Sequence, residues 1–519
     1  MSSWLALAFL ALYLLTASAR IDSGDGQTMY QVTDSMLRER GFTVSAVASE
    51  QDLIGPWGKL IPHGELISNT FGAYGVDGRY YAKYGPGQSF AVVPFYLLGK
   101  LAHTIYPAWS EGFWEQVGAT LLVPVVSALT VALVARTAQL FFGEATALKV
   151  AVLYGLATPA WPYAKSFFSE PLLGGLMLLS GYAAMRARRG SRAGWWVLSG
   201  AALGLAALVK PTALLIAPAI VAFLLITCRP IRWLEWLGSL AVALALLAWY
   251  NALRFGNPLA TGYGTVGWET PLWLGVYGLV FSAGKGLVWF APLVALGVAA
   301  LPAFIRRAPA EGALVTSVAC LFIGAHSLYA AWEGGGSWGP RLIVPVVAWL
   351  VLPLGVILDR KPRAIWQEWG LAVVIAVSIV VQILGLSLGY ARHLQAIYVE
   401  SHSTEEYYER VQFSWPDSPI LSQVSELRAA IGNVRRAETR TELQMLVKRT
   451  LAAARSDDPY YDAWAEAVGL LAFNVPDFWF VYWGFLGAPE GWLAGIATVF
   501  VGVAVMAVFL LRRAVVGCP

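Results

Sequence analysis

Two carboxylates, Asp22 and Asp25, stand in the polar stretch Ala19-Arg20-Ile21-Asp22-Ser23-Gly24-Asp25-Gly26, directly after the first apolar run of the chain. A helix that ends at a membrane surface fixes the residues that follow it, and an acid held there can face water and take a proton from a hydroxyl. The same loop carries a second marked stretch, Asp77-Gly-Arg-Tyr-Tyr-Ala-Lys-Tyr-Gly-Pro-Gly-Gln-Ser89. Its Lys83 and Tyr84 are residue types that bind phosphate, and its glycines shape turns. An acid beside a membrane, with Lys and Arg near it, points to chemistry on a lipid-linked phosphate.

Further candidates follow along the chain. Glu170 and Lys210, each before a proline, are ionisable groups at membrane depth, costly there unless they face a cavity or a partner; snorkelling of Lys210 to the interface is the plainer alternative. Lys285 lies between glycines in Ser282-Ala-Gly-Lys-Gly286, where the backbone can approach a ligand closely, although the spacing is not that of a P-loop. The turn Trp332-Glu-Gly-Gly-Gly-Ser-Trp-Gly-Pro-Arg341 carries side-chain bulk only at Trp332, Glu333, Trp338 and Arg341. Its tryptophans suit an aromatic belt and equally suit sugar rings or lipid headgroups.

The elements that must position these residues are membrane helices. Hydrophobic residues make up 58% of the chain and charged residues 13%, against roughly 25% charged in soluble domains. Twelve apolar runs approach the length of a span, at about 3–19, 114–135, 147–163, 171–185, 194–209, 211–227, 233–250, 287–305, 312–331, 342–358, 368–389 and 490–511. Arg136, Arg186 to Arg192, Arg229 and Arg232, Arg306 and Arg307, Arg360 to Arg363, and Arg512 and Arg513 fall in alternate loops or at the C-terminus, which makes those positions cytoplasmic. Both termini are then inside, and the 20–112 loop, 251–286, 332–341 and 390–489 are external. The net charge of +4 is accounted for by these loops, and no nucleic-acid partner is expected. Cys228, Cys320 and Cys518 form no disulfide framework or metal spacing. Ala17-Ser18-Ala19 resembles a signal-peptidase site, but the Met-Ser-Ser-Trp start lacks basic residues, so the first run is read as a span.

The expected fold is therefore an all-α polytopic membrane protein of about twelve spans. A transmembrane module occupies 1–390, an external helical and interfacial region 391–489, and a last helix with its cytoplasmic tail 490–519. Within the loops, periodicity predicts a surface-lying amphipathic helix over Thr28 to Arg40, an interfacial helix over 89–109 and a helix over 421–455. The aromatic run 478–485 reads as an interfacial patch.

The ordered motifs resemble the GT-C superfamily of polyprenyl-phosphate-sugar-dependent glycosyltransferases, most closely the branch of the protein O-mannosyltransferases and the lipid A aminoarabinose transferase. They are Asp22-Ser-Gly-Asp25, Lys83-Tyr-Gly-Pro-Gly87, Ser169-Glu-Pro171, Leu208-Val-Lys-Pro211 and Gly339-Pro-Arg341, across roughly residues 1–390. The resemblance implies a catalytic base in the first loop, best matched by Asp25 and next by Asp22, and a donor phosphate facing Lys83. It implies a multi-pass protein of the plasma or inner membrane with its site on the external face. The expected partners are a polyprenyl-phosphate sugar donor, an acceptor glycan, lipid or protein, and the bilayer. The reaction needs no cofactor and no nucleotide. Two other classes stay open: a lipid-linked glycan ligase or polymerase, and a secondary transporter or flippase, for which ionisable residues would mark a permeation path.

Overall fold

The computed structural model describes residues 2–45, 71–190, 193–227, 232–263, 267–360, 364–453 and 462–516. Part of the first long loop, and Arg192, Cys228, Arg229, Lys361, Arg363 and Cys518, lie outside the described residues. All twelve apolar runs fall on helical segments. Among the described residues six helices are long and apolar enough to cross a membrane: Glu111–Ala138, Trp233–Phe255, Pro309–Leu328, Arg341–Asp359, Ile365–Ser387 and Glu490–Arg513. Other runs are shorter or interrupted. Pro211–Ile216, for example, is a 3-10 turn leading into the helix Ala217–Thr227.

Lipid tails are as apolar as leucine, so helices in a membrane associate through close packing. Gly200 and Gly204 bring the helix Ala193–Val209 onto Trp233–Phe255. A Cβ on Gly200 would lie 2.2 Å from the Trp236 carbonyl oxygen, and one on Gly204 would lie 2.5 Å from the Ala243 Cβ. The principal core runs from Leu5, Phe9 and Tyr13 of the first helix to Met177, Trp236, Phe304 and Trp349.

The loop elements depart from the sequence expectations in instructive ways. The amphipathic helix begins at Gly24, not Thr28, because Ser23 caps it: the Ser23 Oγ accepts from the Gly26 N–H at 3.1 Å. This helix, Gly24–Arg38, is packed into the protein and does not lie free on a surface. Its charged side is satisfied internally, since Asp34 accepts from the Tyr96 hydroxyl at 2.6 Å and pairs with Arg38 at 2.7 Å, while Arg38 also reaches Glu115 at 2.5 Å. The region 251–286, read as a loop, contains the ten-residue helix Leu272–Phe281. The expected helix over 421–455 is two helices, Pro419–Arg435 and Ala437–Ala452, separated by Arg436 in extended conformation. One apolar cluster joins Trp109, near the end of the first long loop, and Phe113 and Trp114 of the helix that follows to Leu443, Val468, Trp479 and Trp483 of the C-terminal region.

A small hairpin delivers Lys83 and Tyr84. Strand β1 (Gly72–Tyr74) pairs antiparallel with β2 (Tyr80–Ala82), with Gly72 opposite Ala82. Arg254, at the end of Trp233–Phe255, fastens β2: its guanidinium donates to the Ala82 carbonyl and, at 2.8 Å, to the Asn251 Oδ1, and lies 3.7 Å from the Tyr250 ring centre. Beyond the hairpin, Gly85 and Gly87 rest directly on the backbone before Lys210. A Cβ on Gly85 would meet the Leu208 carbonyl oxygen at 2.1 Å, and one on Gly87 the Val209 nitrogen at 2.6 Å. Gly85→Ala should therefore push Lys83 and Tyr84 away from Lys210. The expected result is a loss of about 1–3 kcal/mol of stability, the usual cost of overpacking. Thermal unfolding in detergent checks it.

Candidate active site

Asp25 occupies the first turn of the Ser23-capped helix, where the helix N-terminus favours an anion. The Tyr84 hydroxyl donates to its Oδ1. Its Oδ2 pairs with the Arg341 Nη2 at 2.9 Å. Burial alone pushes the Asp25 carboxyl up. Arg341 first, then Lys83, the Tyr84 hydroxyl and Lys210, outweigh it and hold the group below the ordinary carboxylate range.

Arg341 also reaches a second acid, with its Nε 3.5 Å from the Glu170 Oε1, and the Lys210 Nζ meets that same oxygen at 2.8 Å. Glu170 is almost wholly buried, and its Oε2 has no hydrogen-bond partner among the described residues. The Lys83 ammonium lies 5.5 Å from the ring centres of both Tyr84 and Tyr263. Burial pulls its pKa down, and nearby Asp25 opposes that pull. Six residues from five sequence motifs thus meet: Asp25, Lys83, Tyr84, Glu170, Lys210 and Arg341. Arg341 is oriented by the turn before it. Gly339 has φ 64°, and a Cβ there would strike the Phe290 ring at 2.9 Å.

The other candidates lie elsewhere. Asp22 accepts from the Phe167 N–H at 3.3 Å, and burial pushes its carboxyl up despite Arg20. The Lys285 Nζ donates to the carbonyls of Gly335 at 2.8 Å and Ser337 at 2.7 Å, so it braces the glycine turn from beneath. Glu333 sits beside Lys285, and burial raises its carboxyl. Trp338 is buried edge to face against Phe290 at 4.9 Å, and its carbonyl accepts from the Tyr163 hydroxyl at 3.0 Å.

Burial pulls the Lys285 pKa from 10.5 to about 7. The unfolded chain therefore keeps a proton that the folded chain sheds, and stability rises with pH above about 7 toward the ordinary lysine value. Relative to Lys285→Gln, the wild-type chain should gain about 1.4 kcal/mol of stability per pH unit in that window. Thermal unfolding of both proteins across pH measures the difference.

Two groups of side chains escaped the sequence reading. The Tyr263 hydroxyl, beside Asp25, is buried with no hydrogen-bond partner among the described residues. Arg20, Lys165 and Asp477 form a buried ionic cluster. Arg20 Nε meets the Asp477 Oδ1 at 3.0 Å, and Lys165 Nζ meets its Oδ2 at 2.6 Å. Nothing local in the sequence pairs residues so far apart.

Residues 111–252, which include Glu170 and Lys210, match the model of the family described as dolichyl-phosphate-mannose-protein mannosyltransferase. In this segment and in its ordered motifs, the chain is similar to the GT-C superfamily of polyprenyl-phosphate-sugar-dependent glycosyltransferases, which are membrane transferases. Among curated proteins there is no match. Among solved structures, ArnT from Cupriavidus metallidurans, in the apo state and bound to undecaprenyl phosphate, aligns at 17% identity and a TM-score of 0.48, covering 96% of this chain and 77% of that one. The archaeal oligosaccharyltransferase AglB from Archaeoglobus fulgidus, in complex with an inhibitory peptide and a dolichol-phosphate, aligns at 14% identity and a TM-score of 0.44, covering 79% of this chain and 59% of that one.

Proposed function

We propose that this protein transfers a sugar, with inversion, from a polyprenyl-phosphate donor to an acceptor hydroxyl at the external face of a plasma or inner membrane, through about twelve spans, with Asp25 as the general base. The observation that carries this reading is Arg341 bridging Asp25 and Glu170, with Lys83 and Lys210 close by. Lys83, Lys210 and Arg341 outnumber the two acids by one positive charge, and the donor phosphodiester, a monoanion, brings the site to neutrality. In the reaction the acceptor oxygen bonds to the anomeric carbon as the bond from that carbon to the phosphate oxygen breaks. The electron pair leaves with the phosphate and the acceptor proton passes to Asp25. The phosphate gains the charge that Asp25 loses, so neutrality is kept throughout, and fixed cations stabilise the charge where it develops.

An aspartate held by an arginine is a weak base. The donor phosphate competes for Arg341, and drawing the guanidinium off Asp25 raises its basicity when the substrate is in place. Tyr84 keeps the carboxylate oriented. Lys285, Glu333 and Trp338 support the turn that carries Arg341, and Tyr263 offers its hydroxyl to a substrate beside Asp25.

The test is to incubate purified protein with a panel of polyprenyl-phosphate sugars and hydroxyl acceptors and to follow release of polyprenyl phosphate. No release with any donor sinks the reading, and transfer only between lipid-linked glycans supports a ligase or polymerase. For sidedness, cysteines introduced at Gly335 and Arg188 should differ toward a membrane-impermeant thiol reagent in intact cells. Gly335→Cys is expected to label and Arg188→Cys to stay protected; labelling at 188 would invert the topology.

A further inference from the structure

We infer that Asp477 is a positioning residue for the site: one carboxylate from the C-terminal region ties together the two segments that carry Asp25 and Glu170. The inference rests on the function proposed above. Asp477 is 1% exposed. It accepts from Arg20 Nε at 3.0 Å and Nη2 at 3.4 Å, from Lys165 Nζ at 2.6 Å and from the Tyr482 hydroxyl at 2.5 Å, while its own N–H donates to the Ser387 carbonyl at 2.9 Å.

Each cation leads into the site. Arg20 precedes Asp22, Ser23 and Asp25 in the approach to the capped helix. Lys165, which also donates to the Leu386 carbonyl at 2.5 Å, precedes Phe167 and Glu170. The two segments touch where the Phe167 N–H meets Asp22, and Asp22 lies within electrostatic reach of Arg20, Lys165 and Asp477. Ala19 stands at φ 52°, a left-handed conformation that non-glycine residues adopt only when held there. It is held from the same side, because the Trp479 N–H donates to the Ala17 carbonyl at 3.0 Å. The separation between Asp25 and Glu170 matters because a single guanidinium must reach both.

Three variants in the full chain test this. Asp477→Asn removes the charge, Asp477→Glu keeps it on a longer stem, and Tyr482→Phe removes one hydroxyl donor. The readouts are hydrogen exchange of the 19–26 and 165–170 segments, affinity for polyprenyl phosphate, and single-turnover transfer from whichever donor of the panel is active. Both Asp477 variants should show faster exchange in both segments, with transfer slowed about 100-fold for Asn and about 10-fold for Glu. Polyprenyl-phosphate affinity should stay within about threefold, because all three cations near Asp25 remain. Tyr482→Phe should slow transfer a few-fold. A residue needed only for folding would give full transfer in Asp477→Glu and Tyr482→Phe once they fold, and that result overturns the inference. So does unchanged exchange in both segments of the Asp477 variants, whatever the activity assay shows. A wild-type protein that turns over no donor sinks the proposed function, and the exchange readout then still decides the role of Asp477.

Discussion

Asp25→Asn should bind polyprenyl phosphate more tightly than the wild-type protein while transferring sugar about 10²-fold or more slowly. The slowing is the usual consequence of losing a general base. The tighter binding follows from the ion pair: wild-type Asp25 holds Arg341 at 2.9 Å, and an incoming phosphate must take the guanidinium from it. Removing the competing charge frees a contact of about 1.5–3 kcal/mol, so a gain of about tenfold or more in affinity is expected. Calorimetric titration with polyprenyl phosphate and single-turnover transfer measure the two effects separately. Unchanged or weaker binding would show that Arg341 stays on the acids, and full transfer would remove Asp25 from the chemistry.

Arg341→Gln should produce the opposite binding change. Losing a charge-assisted contact of about 1.5–3 kcal/mol weakens polyprenyl-phosphate binding by about 10- to 150-fold. Arg341→Lys should recover only part, since a single ammonium cannot reproduce a planar fork that reaches Asp25 through Nη2 and Glu170 through Nε. The pair of substitutions supplies an internal control: in the Arg341→Gln background, Asp25→Asn should no longer tighten binding, because the two act through one contact. Equal effects of Asp25→Asn in both backgrounds would count against the shared guanidinium.

The helices were readable because apolar runs of span-like length leave a strong signal, and all twelve lie on helical segments. The run lengths did not show the 3-10 turn that opens the run at Pro211, and the periodicity over 421–455 did not show the extended Arg436 that divides it. The acidic loop, the Lys-Tyr-Gly-Pro-Gly segment, Glu170, Lys210 and Arg341 were each legible as isolated charges or glycines in an apolar chain, where an ionisable group needs a reason. Their partners were not. No periodicity pairs Asp477 with Arg20, and Lys285 between glycines reads the same whether it faces a ligand or, as here, two backbone carbonyls. Burial was the deciding quantity, and a sequence does not carry it.

The contact of Gly85 and Gly87 with Leu208 and Val209 also limits how this protein can be recombined with others. Two stretches separated by more than a hundred residues fit backbone to backbone with no intervening side chain, so neither can be grafted alone without its counterpart's shape. A chimera that exchanges the first long loop for that of a similar protein should work only when the Leu-Val-Lys-Pro turn travels with it. A crossover placed between the two would separate Lys83 from Lys210 even though every charged residue of the site was retained.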